Sequence, residues 1–328
     1  MATDWLRTLT DMPHWPRRLR EQNVLGMNMR NADYIFGYNP RRFYPLVDDK
    51  LRTKRLAEKA GIAVPELYGV IEIEHDIPKL SKIVEGRKDF VIKPSQGSGG
   101  NGILVITGKT NNRYQRANGA LMDEDGISHH LSNILNGLYS LGGQADKALI
   151  EYRVKFDPLF EPVSYRGVPD IRTIVFKGIP VAAMVRLPTR ASDGKANLHQ
   201  GAVGTGIDLL TGQTTLAVCK DRRITEHPDT GIPIAGLQIP HWNNLLTLAA
   251  HCHDLAGLGY LGVDIVLDRD LGPLVLEFNA RPGLSIQLAN GMGLHERLQR
   301  VEELDEIPQD PAERARIAQQ LFAHKEAA

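Results

Sequence analysis

The residues best suited to chemistry are oxygen donors on two apolar strands and lysines around a run of glycines. Asp264 lies within Val263-Asp264-Ile265-Val266-Leu267, and Glu277 and Asn279 lie on and just beyond Pro273-Leu274-Val275-Leu276-Glu277-Phe278. Glu277 and Asn279 are two apart, so both side chains leave the strand on one face. Three oxygen donors can therefore converge, and magnesium takes such hard donors, usually one or two carboxylates completed by phosphate oxygens and water. A plain hairpin with surface acids is the alternative. Apolar neighbours at Val263, Ile265, Leu276 and Phe278 argue against casual exposure and favour metal binding.

Gly97-Ser98-Gly99-Gly100-Asn101-Gly102 fits Gly-x-Gly-x-x-Gly, a pattern shared by dinucleotide folds, kinases and ordinary loops. A dinucleotide site needs a helix after the glycines, whereas Ile103-Leu104-Val105-Ile106 favours a strand. A P-loop would end in Gly-Lys-Ser or Gly-Lys-Thr, and this loop ends Asn-Gly-Ile. What remains is a glycine flap whose bare N–H groups can approach phosphate oxygens, with Lys93 upstream as a cation. A tight glycine hairpin with Lys93 reaching solvent fits the loop equally well when it is taken alone. The distant carboxylates decide for an ATP lid.

These residues need elements to position them. Residues 48–60 are rich in helix formers and stop at Gly61 before Pro65, which predicts a short capped helix. Phe90-Val91-Ile92-Lys93 and Ile103-Leu104-Val105-Ile106 predict strands on either side of the flap. Gly108 to Lys147 is polar and glycine-containing and reads as an insertion with one helix over 128–141. Strand patterns follow at 148–154, 171–176 and 181–186, the last two joined by a turn at Gly178-Ile179-Pro180. A helical pattern over 241–258 precedes the two acid-bearing strands. Asp310-Pro311-Ala312-Glu313 supplies an N-cap, a first-position proline and a capping-box glutamate for a closing helix. His251-Cys252-His253-Asp254 looks like a metal cluster, but neighbours this close diverge around a helix axis, so packing is the better account.

A chain of 328 residues that is 42% hydrophobic can bury a sizeable core. Lysine plus arginine balances aspartate plus glutamate at 39 each, so no overall field favours nucleic acid or an anionic membrane. Cys219 and Cys252 form no Cys-x-x-Cys pair, which fits a reducing, cytoplasmic setting. Trp5, Leu6, Leu9 and Met12 stand at helical spacing, yet no signal peptide or membrane span is read. Trp5 and Trp15 with Arg17, Arg18 and Arg20 could mark an interfacial helix, but core packing with solvated arginines is preferred.

Seven separated motifs then resemble, in order, those of RimK-related α-L-glutamate ligases of the ATP-grasp superfamily. They are Asp49-Lys50-Leu51-Arg52, Phe90-Val91-Ile92-Lys93 with its glycine loop, Glu151-Tyr152, Asp170-Ile171-Arg172, Asn197-Leu198-His199, Gly262-Val263-Asp264-Ile265 and Glu277-Phe278-Asn279-Ala280-Arg281-Pro282-Gly283. The match runs from about Asp48 to Gly283, and its strength lies in the ordered set. The resemblance implies an α+β ATP-grasp fold, two α/β subdomains clasping ATP. It implies that Lys50 and Lys93 bind ATP phosphates while Ser95, Gly97, Ser98, Gly99, Gly100 and Gly102 close over them. Glu151 and Tyr152 would line the adenine pocket, and Asp264, Glu277 and Asn279 would hold Mg2+, with Mn2+ as the alternative ion. Arg172, Arg186 and Arg281 would face the transferred phosphate or a substrate carboxylate, with Asn197 and His199 near the acceptor. The stretch Asp157-Pro158-Leu159-Phe160-Glu161-Pro162 lengthens the pattern, so no ribose contact is assigned.

The chemistry implied is ATP-dependent carboxylate–amine ligation. Lysines and magnesium neutralise the triphosphate so that a carboxylate can attack its terminal phosphorus. Arginines hold the acyl phosphate, and an amine displaces phosphate from it. Glutamate or a related amino acid, added to a peptide, protein or amine, is expected from the resemblance. The rivals are a phosphotransferase, although no His-Arg-Asp or Asp-Phe-Gly element supports a protein kinase, and a non-catalytic nucleotide-binding regulator. Four regions are expected: a helical extension over 1–47, an N-terminal subdomain over 48–147, a C-terminal subdomain with the metal site over 148–300, and a closing helix over 301–328. An independent α/β layer needs about 100 residues, so residues 1–47 should pack as helices on the core in place of a full preceding domain. The rest of the wall would come from the 108–147 insertion, a second copy or the acceptor, and a homodimer with an open cleft for a peptide or protein terminus is expected.

Overall fold

The computed structural model describes residues 15–97, 99–111, 113–140 and 142–323. The β-branched runs close into two antiparallel sheets. The first contains β1 (Leu67–Ile71), β2 (Phe90–Pro94), β3 (Leu104–Thr110), β4 (Arg113–Arg116), β5 (Leu121–Met122) and β6 (Ala148–Glu151), in the order β1-β6-β2-β3-β4-β5. Phe90, Ile92, Leu104, Ile106 and Ile150 bury one face of it against Ile127, Leu131 and Ile134 of the Glu124–Leu135 helix. That helix starts where Asp123 accepts a hydrogen bond from Gly126 N at 2.9 Å, a normal N-cap. The 108–147 stretch is therefore built into the first sheet and its core, because β4 and β5 extend the sheet beyond β3.

The second sheet contains β7 (Asp170–Phe176), β8 (Ile179–Leu187), β9 (Val203–Ile207), β10 (Thr214–Cys219), β11 (Arg222–Ile224), β12 (Tyr260–Asp268) and β13 (Gly272–Asn279), in the order β11-β10-β9-β8-β7-β12-β13. Every residue of β12 is buried, as its near-continuous apolar sequence demands. The Trp242–Ala256 helix buries Leu245, Leu246, Ala249 and Cys252 and ends at left-handed Gly257. Asp254 on this helix accepts two bonds from Arg314 of the Pro311–Phe322 helix, at 2.9 and 2.5 Å. The His251–Asp254 stretch thus carries a helix-to-helix tie.

The N-terminal segment from Leu25 onward packs as short helices on the second sheet, whereas the Trp15–Glu21 helix buries no residue and leaves Trp15 exposed, against the core packing expected of it. Tyr34 and Ile35 enter the core of that sheet, with the Tyr34 ring 5.4 Å from Phe176 at near-perpendicular tilt. Asn39 fastens the segment by donating to the carbonyls of Tyr260 (2.8 Å) and Ala280 (3.1 Å) and accepting from Tyr260 N. Trp5, Leu6, Leu9 and Met12 lie outside the described residues. Among those described, no helix is long and apolar enough to cross a membrane.

Candidate active site

The Lys50–Lys59 helix begins at Asp49, whose carboxylate accepts from Leu51 N (3.0 Å) and Arg52 N (3.2 Å). Ser95 at the flap entrance donates its hydroxyl to the same carboxylate at 2.6 Å and accepts from Lys50 N through its carbonyl at 3.0 Å. The side chain of Ser95 is thus used to join helix to flap. Asp146 steadies the flap from the other side, accepting from Gln96 N at 2.9 Å and Lys147 N at 2.7 Å. Lys50 then projects between the two sheets. Its ammonium donates to the Gly97 carbonyl and lies 3.7 Å from the Glu277 carboxylate on β13.

Deeper in the first sheet, Glu151 receives two cations. Lys93 on β2 approaches one of its oxygens at 2.5 Å and Lys54 the other at 2.8 Å, and all three groups are buried. Burial pushes the Glu151 carboxyl up, but the charges of Lys93 and Lys54 outweigh this and hold it below the ordinary carboxylate range. Burial pulls the Lys54 ammonium below its ordinary value, opposed by Glu151. Lys54 was missed in the sequence reading. Its signal is the spacing of four from Lys50, which sets both on one face of the helix.

In the second sheet, cross-strand register builds a lattice of acids and arginines. Asp264 lies opposite both Arg172 and Glu277, and Asp170 lies opposite Arg186. Asp264 accepts from Nε (2.5 Å) and Nη2 of Arg172 and from Arg186 at 2.7 Å, while Arg186 also grips Asp170. Burial raises the Asp264 carboxyl, yet the two guanidinium groups drive it well below the usual range. Asp170, buried beside Asp264 and holding only one arginine directly, is pushed up to about 6.

Asn279 places its amide nitrogen 3.5 Å from Asp264, and amide nitrogen and oxygen exchange by a flip. Among the described residues, no three His, Cys, Asp or Glu side chains converge as a metal cage. Magnesium needs no such cage, and an ionised Asp264 beside Glu277 and an amide fits its oxygen chemistry. A carboxylate has about four acceptor positions, and Asp264 uses them on two Arg172 bonds, one Arg186 bond and the Asn279 amide, so an ion at Asp264 would have to take the place of one of these donors.

The flap reaches across to the second sheet. A Cβ on Gly99 would come within 3.9 Å of the Asn197 and Gln200 amides, and Lys195 Nζ lies 3.5 Å from Asn101 Oδ1. Asn197 also caps its own turn, Leu198–Gln200, by accepting from His199 N at 3.0 Å. Gly100 faces the Lys195 stem. Gly102 anchors the return, its carbonyl 3.0 Å from His130 Nε2. Ser98 lies outside the described residues.

Three further candidates lie around this centre. Tyr152 donates its hydroxyl to buried Asp268 at 3.0 Å. Asp268 also accepts from Lys155 N, Asp270 N and Leu271 N, clamping the linker after β6 onto the β12–β13 turn. Arg281 lies over the Tyr44 ring at 5.2 Å. His199 points toward Gly283, where a Cβ would stand 4.0 Å from its Nε2.

A family model described as sugar-transfer associated ATP-grasp matches residues 29–303. The chain belongs to that ATP-grasp family. Curated relatives include probable alpha-L-glutamate ligases from Aeromonas salmonicida and Maridesulfovibrio salexigens, each 25% identical over 244 and 238 residues respectively. These alignments cover 74% and 72% of this ATP-grasp chain and 59% and 56% of the relatives, so the chain spans under three-fifths of their length. They agree with the relation to RimK-type proteins read from the ordered motifs. Biotin carboxylase from Campylobacter jejuni shares the fold, with a TM-score of 0.51 at 15% identity over 82% of this chain and 49% of that one. A RimK domain ATP-grasp protein from Sphaerobacter thermophilus aligns at a TM-score of 0.45 and 15% identity, over 80% of this chain and 70% of that one.

Proposed function

We propose that this protein is an ATP-dependent carboxylate–amine ligase that works through an acyl phosphate. The observation that carries the proposal is the meeting at Lys50 of the flap carbonyl Gly97 and the carboxylate Glu277. Flap, cation and metal-type donors from different elements face one space there. ATP phosphates would be met by Lys50, Lys93 and the flap, and Lys54 belongs with them as the second cation on Glu151. Asp264, Glu277 and Asn279 would hold Mg2+, whose charge supplies the Lewis acidity that phosphoryl transfer requires. Arg172 and Arg186 offer paired donors suited to phosphate or carboxylate oxygens.

In this reading a substrate carboxylate oxygen attacks the terminal phosphorus, ADP leaves, and an amine then attacks the carbonyl carbon so that phosphate departs with one former carboxylate oxygen. The amino acid involved is glutamate or a relative, as the names of the curated ligases suggest, and the other partner is a peptide, protein or amine. The active unit is proposed to be a cytoplasmic homodimer, with exposed Trp15, Leu19, Met27 and Phe36 as the available apolar surface. A panel of acids and amines incubated with Mg·ATP tests the activity. Amine-dependent phosphate release with an amide product supports the ligase. A phosphorylated product would instead establish a phosphotransferase, and nucleotide binding without turnover a regulator.

A further inference from the structure

A cleft of about 240 Å3 opens beside the Leu198–Gln200 turn and is lined by His199, Lys220, Asp221 and Ser285 together with Leu198 and the exposed Leu288. Its position ties it to the reaction centre. On one side of the turn Gln200 donates to the flap carbonyl of Gly99 at 3.4 Å. On the other, His199 faces Gly283 at the end of the segment that begins with Asn279. A ligand in the cleft is thus one short turn from the place where the flap meets Gln200. The volume lies below the roughly 300–1,000 Å3 of drug-sized pockets, which suits one small polar molecule.

Lys220 and Asp221 alone join β10 to β11, with Cys219 paired to Arg222 on either side. Both have left-handed backbone, φ +49° and +60°. Two-residue hairpin turns of this kind favour Asn, Asp and Gly, and lysine there carries a steric cost from its Cβ. Strain of this sort gathers at functional positions. What lysine adds is an ammonium group, set beside a carboxylate, and no hydrogen bond or ion pair joins either side chain to another described residue. Opposite unit charges, adjacent in the turn and exposed to solvent, border one cleft.

We propose that the Lys220–Asp221 turn reads both charges of a free α-amino acid, with Lys220 on the α-carboxylate and Asp221 on the α-ammonium. The inference rests on the ligase reading and names the residues that select the amino acid in it. His199 and Ser285 complete the polar lining, and the remaining side chain of the amino acid lies on Leu198 and Leu288.

The test is direct binding of each of the twenty amino acids to the full chain, with magnesium and a non-hydrolysable ATP analogue, by calorimetry or ligand-observed NMR. For the amino acid that binds, its α-amide and its des-amino acid are measured alongside. The parent should bind roughly twofold to fivefold more tightly than either derivative, the worth of an exposed ion pair. Lys220→Asn should erase the preference over the amide and Asp221→Asn the preference over the des-amino acid. Asparagine accepts left-handed backbone, so Lys220→Asn should keep or raise the melting temperature, which a purely structural lysine would not. Absence of binding by all twenty, or equal binding of the parent and both derivatives, would overturn the assignment. Because no turnover is needed, failure of the ligase reading appears separately, as amino acid binding without any amide formed from ATP.

Discussion

At the scale of single residues the account turns on buried charge. Glu151 is held by Lys93 and Lys54, and removing one partner of a buried pair leaves an uncompensated charge that costs about 3 kcal/mol or more. Lys93→Ala and Lys54→Ala should both lower the denaturant midpoint, and both should lose the rise in melting temperature that Mg·ATP gives the native chain. An undiminished rise in either variant would remove that lysine from the phosphate site. Glu277 differs because it is only half-buried and touches one lysine at 3.7 Å. Glu277→Gln should abolish magnesium-dependent turnover with little change in stability, whereas Asp264→Asn should also destabilise, since it strips two arginines of their shared acceptor. Full activity in Glu277→Gln would move the metal elsewhere. The pH dependence has a definite sign. A carboxyl depressed on folding, such as Glu151, stabilises above the ordinary carboxylate range near about 4.3, and this is lost as pH falls through its folded value. Acid unfolding should therefore steepen below that range, and Glu151→Gln should flatten it, as urea midpoints across the pH series would show.

At the scale of elements the flap is the segment with the clearest constraints. Gly102 has φ +76°, and a Cβ there would stand 2.6 Å from the Tyr139 ring. Gly102→Ala should cost about 1 kcal/mol or more and unseat the flap, raising KM for ATP, whereas Gly37→Ala, with nothing within 4 Å, should leave KM unchanged. Equal KM values for the two variants would detach the flap from nucleotide binding. Much of this was legible beforehand, because the strands that flank the flap and those that carry Asp264 and Glu277 are β-branched runs with clear turn signals. The 108–147 stretch was harder to read. Its short strands Arg113–Arg116 and Leu121–Met122 carry too few apolar residues to announce that they extend a sheet. Hairpin β10–β11 hid for a related reason, since Lys220-Asp221 is not the Asn-Gly that marks such turns. Lys54 escaped because a lysine within a charged helix reads as solvated until a distant glutamate, Glu151, is known to bury it. Tyr152 shows the reverse, a motif residue whose hydroxyl is committed to Asp268.

At the scale of the whole molecule, two sheets with separate cores face each other across the flap, and the N-terminal helices wall the segment that follows β13. Arg30 of that wall donates to the Pro282 carbonyl at 2.9 Å, so the wall steadies the stretch running from Asn279 to Gly283. A clasp of this form can enclose the triphosphate while leaving the cleft beside His199 open to a second substrate. The central claim is that the carboxylate is activated by phosphorylation before the amine attacks. It is tested most directly with the acid identified by the substrate panel, prepared with heavy oxygen in its carboxylate and allowed to react with Mg·ATP and the amine. The account predicts one heavy oxygen in each phosphate released, because the acyl phosphate breaks at the carbonyl carbon. Amide formation accompanied by phosphate without the label would contradict it.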